Sequence, residues 1–349
     1  MNLEDLGWNP SLAESLSASA HPDAQPGRIM RVDGSRATAL TAAGETFVEL
    51  PSRLRRSNAL VVGDWLALEC LPGRAARALE RLPRRTHLTR RAAGRRIRPQ
   101  VLAANIDVVF IVSSMDADLS ERRLERYLTV AHDGGAQPVI LLTKAGLTPE
   151  PDAFIERARA VAPGVHVHGI DVLDGTGSEV PGSYLVRGVT AVLVGSSGVG
   201  KSTLLNHLAG VSRMATQAVR DSDGLGQHTT THRELFVLPQ GGIVIDTPGL
   251  RELAPWADAA GLGQAFNDIE TLAAQCRFGD CAHAREPGCA VNEAVEAGEL
   301  AADRLRSYLE LRREIEQTEP QPSLHERRQH DRKLGRVYRQ AKAHKKGRR

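Results

Sequence analysis

At 349 residues the chain is longer than one typical domain; its 41% hydrophobic content supports packed cores, and 4% aromatics imply that Val, Leu, Ala and Ile fill them. The acidic start at Glu4 and Asp5, the lack of any apolar run approaching ~18–20 residues, and only four cysteines argue against a signal peptide, a membrane span and a disulfide framework, so a cytoplasmic protein is expected. The net charge is only +3, yet Arg and Lys concentrate in residues 53–98 and again after residue 326, which points to a polyanionic partner larger than a nucleotide.

Residues 1–26 show little periodicity and read as a flexible leader. From Gly27 to Leu82, short alternating segments at Arg28–Val32, Ala37–Leu40, Thr46–Leu50, Asp64–Cys70 and Ala76–Leu82 are separated by turn residues such as Asp33-Gly34 and Pro72-Gly73. Five short strands predict a small closed barrel over residues 27–98, of OB type rather than SH3-like. Cys70, in one of these strands, reads as a small buried residue. Arginines from Arg53 to Arg98 decorate this region; a charge run is ordinarily a solvated face, but on a barrel of this kind it predicts an RNA-binding surface.

Residues 99–254 change character. Apolar runs at Ile106–Ser113 and Gln137–Leu142, helical spacing at Leu119–Gly134 and Asp152–Val161, and a strand at Gly164–His168 form a β-α-β-α-β pattern, hence a mostly parallel α/β sheet. Thr190–Val194 is a further buried strand, and Glu234–Leu238 and Gly242–Ile245 complete the set. Residues 255–321 read as a helical domain and residues 322–349 as a basic tail.

The strand Thr190–Val194 runs into Gly195, Ser196, Ser197, Gly198, Val199, Gly200, Lys201, Ser202 and Thr203, a phosphate-binding loop opening a helix. Its backbone amides and the helix dipole favour a polyphosphate, Lys201 reaches the β/γ-phosphates, and the Ser202 hydroxyl ligates Mg²⁺. Downstream, the strand ending in Asp246-Thr247-Pro248-Gly249 offers a carboxylate for Mg²⁺ through water and the Gly249 amide for the γ-phosphate. Between them, the glycine-flanked segment Gly224–Arg233 suits a switch loop, with Thr230 expected to complete the Mg²⁺ coordination; the bland alternative is an ordinary surface loop. The base-recognition element falls at Thr143, Lys144 and Gly146, upstream of the phosphate loop. Base element, phosphate loop, first switch, second switch is a circularly permuted order that keeps one sheet and one site.

Cys276, Cys281, His283 and Cys289 supply three thiolates and an imidazole within a short span, a set suited to one tetrahedral, structural Zn²⁺; a redox-active cluster is the alternative. The spacing is unlike a DNA-reading zinc finger. The tail carries eleven Arg and Lys from Arg327 to Arg349 against Glu326 and Asp331, which predicts salt-sensitive contact with RNA rather than a merely solubilising tail.

The permuted order, the Gly-Leu-Gly-Gln-His-Thr-Thr-Thr switch, the barrel and the cysteine cluster together resemble the RsgA family, circularly permuted GTPases of small-ribosomal-subunit biogenesis, from Gly27 to about Leu311. The resemblance implies a monomeric enzyme that binds the small ribosomal subunit and its rRNA and hydrolyses GTP to GDP with Mg²⁺. It departs in one place: where the family's base element resembles Asn-Lys-x-Asp, with an aspartate accepting two hydrogen bonds from guanine, this chain has Thr143-Lys144-Ala145-Gly146. Losing that carboxylate removes about 2–4 kcal/mol of guanine preference unless another group, such as Glu150 or Asp152, replaces it. Leu250 stands where many GTPases carry a water-orienting glutamine, so His228 is the candidate for that role, or else a histidine that packs the switch. No arginine finger is evident in cis. A nucleotide triphosphatase of relaxed base specificity and an RNA-binding assembly factor that uses nucleotide only conformationally are the rival readings.

Overall fold

Alternating short segments close on themselves at the start of the chain. In the computed structural model, which describes residues 2–34, 36–55, 60–70, 73–91, 99–210, 233–246, 258–284 and 286–318, strands β1 (Gln25–Asp33), β2 (Arg36–Thr41), β3 (Gly44–Glu49), β4 (Trp65–Glu69) and β5 (Ala76–Arg81) form a barrel. Their order around it is β1-β2-β3-β5-β4, with β3 parallel to β5 and the other pairs antiparallel. A bulge between Ile29 and Arg31 bends β1 so that it pairs with β2 along one part and β4 along another. Ile29, Val48, Leu50, Leu66 and Leu68 fill the interior. Strand β4 stops at Glu69, so Cys70 lies beyond it and is exposed, contrary to the buried position expected.

The leader, expected to be flexible, carries helical structure over its first part. Leu3–Leu6 forms a 3₁₀ turn, and α1 (Pro10–Ser17) follows, capped by Asn9, whose Oδ1 accepts from the Leu12 amide, with Pro10 at the first helical position. Leu6, Leu12 and Leu16 are buried, and Trp8 packs edge-on against Trp65 at 4.9 Å between ring centres. Tertiary burial of this sparse leucine stripe overrides the weak local periodicity that suggested disorder.

The joint beneath the barrel is built on a buried cation. Arg28, on β1, is 1% exposed, and its guanidinium donates to the Leu6 carbonyl at 2.5 Å and the Asn105 carbonyl at 2.9 Å. Burial pushes its pKa down to about 10, leaving it charged at neutral pH. Asn105, in a left-handed conformation at φ +54°, donates from Nδ2 to the Gly63 carbonyl at 2.9 Å. Gly63 itself has φ +89°, and a Cβ there would meet the Ala104 carbonyl oxygen at 2.1 Å. Beside it, buried Asp64 accepts from Arg84 at 2.6 and 2.8 Å.

A hairpin of β6 (His87–Arg91) and β7 (Pro99–Ala104) leads into the second domain and crosses the boundary expected at residue 98. There β8 (Val108–Ser114), α2 (Glu121–Asp133), β9 (Gln137–Thr143), α3 (Pro151–Ala160), β10 (His166–Gly169), a short α4 (Val180–Tyr184), β11 (Thr190–Val194), α5 (Lys201–Ala209), β12 (Glu234–Val237) and β13 (Ile243–Asp246) make a six-stranded sheet. The order is β10-β9-β8-β11-β13-β12, parallel except for the edge strand β12. Strands β8 and β11 are buried at every residue, as expected for parallel strands covered on both faces. No helix among the described residues is long and apolar enough to cross a membrane.

The last described region holds α6 (Ala259–Ala265), α7 (Asn267–Ala273), α8 (Ala290–Glu296) and α9 (Ala302–Thr318). Arg304 of α9 fixes it to the sheet domain. Its guanidinium donates to Glu125 of α2 at 2.8 Å, to both oxygens of Asp268 at 2.7 and 2.8 Å, and to the Val161 and Ala265 carbonyls at 3.1 and 3.0 Å. The Glu125 carboxylate, 2% exposed at the side chain, also accepts from Ser307. Breaking a buried pair while leaving one charge behind costs about 3–5 kcal/mol, whereas removing both charges together is far cheaper. Arg304→Met is therefore expected to lower stability by about that amount in urea unfolding, and Arg304→Met with Glu125→Leu to recover most of it.

Candidate nucleotide site and metal centre

The parallel register brings the candidate residues to one sheet edge. Ser114 pairs with Thr143 at the ends of β8 and β9, Val194 pairs with Ile111, and Asp246 is the last residue of β13. Beyond β11, Gly195 turns the chain at φ +145°, and a Cβ on it would lie 2.1 Å from the Val112 carbonyl oxygen, so only glycine lets the loop pass over β8. Gly198 and Gly200 have φ +81° and +93°, and α5 begins at Lys201. Lys201 Nζ folds back over the loop, donating to the Gly195 carbonyl at 2.7 Å and to that of Ser196. Ser202 and Thr203 occupy the first turn of α5, while Val199 is buried against the sheet. A ring of amides at a helix N-terminus with a lysine beside it can receive a polyphosphate.

The expected base element lies against this loop, but Thr143 points inward. It is buried, and its hydroxyl lies 2.8 Å from the Val199 carbonyl and 3.1 Å from that of Ser113, joining glycine loop, β8 and β9. Lys144, left-handed at φ +62°, pairs with Asp116 at 2.9 Å. Asp116 is in turn held by the Ser114 hydroxyl and the Asp118 amide at 2.8 and 2.9 Å. At Gly146 the neighbours are neither Glu150 nor Asp152. The atoms nearest to where a Cβ would stand are Asp174 Oδ2 at 2.1 Å and Asp171 Oδ2 at 3.2 Å, both from the turn after β10. The Gly146 amide donates to Asp171 Oδ2 at 3.3 Å.

Three residues at this edge escaped the sequence reading. Asp171 and Asp174 are far from Gly146 along the chain, and only the β9–β10 pairing, Leu142 opposite Gly169, brings them together. Arg123 of α2 donates to the Ser196 hydroxyl in the glycine loop while Asp118 grips the same guanidinium at 3.2 Å. A cation on a neighbouring helix leaves no motif around the loop it touches. His228, Thr230 and Gly249 lie outside the described residues.

The four metal-ligand candidates converge. The donor atoms of Cys276, Cys281, His283 and Cys289 all lie within 4.8 Å of one another. His283 presents Nδ1 to Cys276 Sγ at 3.7 Å and to Cys289 Sγ at 3.5 Å, and the two sulfurs are 3.9 Å apart. A tetrahedron with Zn–S bonds of about 2.3 Å has edges close to these, so the set fits a zinc ion with no open position. His283 is buried and left-handed at φ +59°, and its ring leans on Tyr308 of α9.

Glycine loop, preceding base element and barrel thus define a circularly permuted nucleotide-binding protein with a helical Cys₃His module. The model of the RsgA GTPase family matches residues 81–256. The small ribosomal subunit biogenesis GTPase RsgA of Xanthomonas euvesicatoria is 44% identical over 90% of this chain and 88% of its own. Its counterpart in Syntrophotalea carbinolica is 42% identical over 90% of each. Among solved structures, YjeQ from Thermotoga maritima aligns with a TM-score of 0.64 at 26% identity, covering 83% of this chain and 98% of its own. YloQ, described as a circularly permuted GTPase, aligns with a TM-score of 0.62 at 25% identity, covering 86% and 98%. The chain belongs to the RsgA GTPase family.

Because the Thr143 hydroxyl is the donor at the Val199 carbonyl, Thr143→Val is expected to cost about 1–3 kcal/mol and to weaken nucleotide binding, while Thr143→Ser keeps both near wild type. Thermal melting with and without GDP checks this.

Proposed function

We propose that this chain is a ribosome-dependent GTPase that binds the small ribosomal subunit, assists its late maturation, and hydrolyses GTP to GDP and phosphate. The observation that carries the reading is the meeting of base element and glycine loop at one sheet edge, in a chain matching named small-subunit biogenesis GTPases over 90% of its length.

In this reading the amides of Gly195 to Thr203 cradle the phosphates, and Lys201 leaves the loop carbonyls to meet the β/γ-phosphates. Ser202, Asp246 and the switch residue Thr230 are the groups that would hold Mg²⁺, which when bound would supply positive charge beside the transferred phosphoryl group. Gly249 meets the γ-phosphate, and His228 orients the attacking water. Zn²⁺ on Cys276, Cys281, His283 and Cys289 ties the segment before α8 to α9, which Arg304 holds to the nucleotide domain. The arginine-bearing barrel, the helical module and the basic tail after residue 321 grip rRNA around the GTPase domain, with the protein acting as a cytoplasmic monomer.

Phosphate release should be slow for the protein alone and rise at least about tenfold with purified small subunits. Lys201→Ala should lose nucleotide binding, and His228→Ala should keep it while losing about a hundredfold of the subunit-stimulated rate. A His228→Ala enzyme with full stimulated activity removes His228 from the mechanism. Cys289→Ser, or exhaustive chelation, should release one zinc per chain and lower the melting temperature of the helical module without abolishing GDP binding.

A further inference from the structure

Gly146 leaves a gap in the base element, and the turn after β10 fills it. Asp174 Oδ2 stands 2.1 Å from the point where a side chain on residue 146 would begin, with its carboxyl carbon at 3.2 Å. The two carboxylates of that turn differ in what they have left to offer. Asp171 is buried, with one oxygen taken by the Gly146 amide at 3.3 Å and the other by the Leu173 amide at 2.9 Å. Asp174 is exposed; its Oδ1 accepts from the Thr176 amide at 2.8 Å, which fixes the carboxylate, and Oδ2 faces Gly146. The Thr176 backbone hydrogen bond holds the Asp174 carboxyl below the usual carboxylate range, so it is an acceptor at neutral pH. Two large apolar side chains beside these positions, Leu147 and Leu173, are 79% and 87% exposed, apolar surface suited to the flat face of a purine.

We propose that Asp174 is the guanine-reading carboxylate of this GTPase, accepting from N1–H and the 2-amino group in the place left by Gly146, and that Asp171 is the positioning residue that holds Gly146 against the turn. The inference rests on the GTPase reading above. It deepens it, because glycine at position 146 supplies no carboxylate of its own, and of the two described carboxylates beside it Asp171 already has both oxygens engaged by backbone amides. An adenine presents an acceptor at N1 and no 2-amino group, so an ionised carboxylate there favours guanine over adenine.

The test exploits a change of pattern rather than a loss. Xanthine carries an oxygen where guanine carries the 2-amino group, and an asparagine amide can donate to it while accepting at N1–H. Calorimetric titrations with GDP, ADP and XDP, Mg²⁺ present, would compare the full chain with Asp174→Asn, Asp174→Ala, and Gly146→Asp combined with Asp174→Ala. The wild type should prefer GDP to ADP by about a hundredfold or more. Asp174→Asn should lose about tenfold or more for GDP and gain as much for XDP, the gain showing that the variant is folded. Gly146→Asp on the Asp174→Ala background should regain GDP binding. A wild type preferring GDP whose Asp174→Asn variant keeps that affinity and gains nothing for XDP overturns the assignment of Asp174 while leaving the GTPase reading intact. Equal wild-type affinities for GDP and ADP overturn both, and favour a nucleoside triphosphatase of relaxed base specificity.

Discussion

Parallel strand pairing in fixed register is what the rest of the molecule depends on. With β8 paired to β9 over its whole length and to β11 from Val108 to Ile111, Ser114, Thr143 and Val194 finish at one edge, and the candidate site's loops leave from there. The Thr143 hydroxyl then ties the end of β9 to the glycine loop and to β8 by meeting Val199 and Ser113. A slip of one residue would turn Thr143 outward and open the glycine loop. The circular permutation leaves this geometry intact because a parallel sheet is defined by the spatial order of its strands, not by where the chain enters it.

Around that sheet the neighbouring units are fastened by buried guanidinium groups. Arg28 anchors the leader and the base of the barrel, and Arg304 anchors α9. Arginine suits such joints because its planar fork keeps its charge under desolvation and satisfies several acceptors at once. Five acceptor contacts surround Arg304, and Phe266 lies 4.5 Å beneath its plane. Each joint is thus specific as well as tight, since a rotated neighbour would leave a desolvated cation without partners.

Much of this was legible in the residues themselves. Continuous apolar runs marked β8, β9 and β11, alternation marked the barrel, and the cysteine and histidine spacing marked the four donors that converge. What stayed hidden had physical reasons. The helix Pro10–Ser17 is too short and serine-rich to register by periodicity, and it exists because Leu12 and Leu16 find a surface to cover. The β6–β7 hairpin reads as a charge run because arginines occupy strand positions. Thr143 looked like a ligand for the base, yet burial turned its hydroxyl to main-chain carbonyls. The Asp171–Asp174 turn carries no motif, and its relation to Gly146 arises only once β10 lies beside β9.

Beside the Asp64–Arg84 pair, the joint beneath the barrel rests mainly on main-chain oxygen. Arg28 meets the carbonyls of Leu6 and Asn105, the Asn105 amide meets that of Gly63, and the Ile29 amide meets that of Asp64. Carbonyl acceptors are supplied by every residue type, so side chains at several of these positions are free to drift over evolutionary time while the contact persists. Paired substitutions, the usual statistical trace of two surfaces in contact, would then be faint across this seam although it is among the most buried in the molecule.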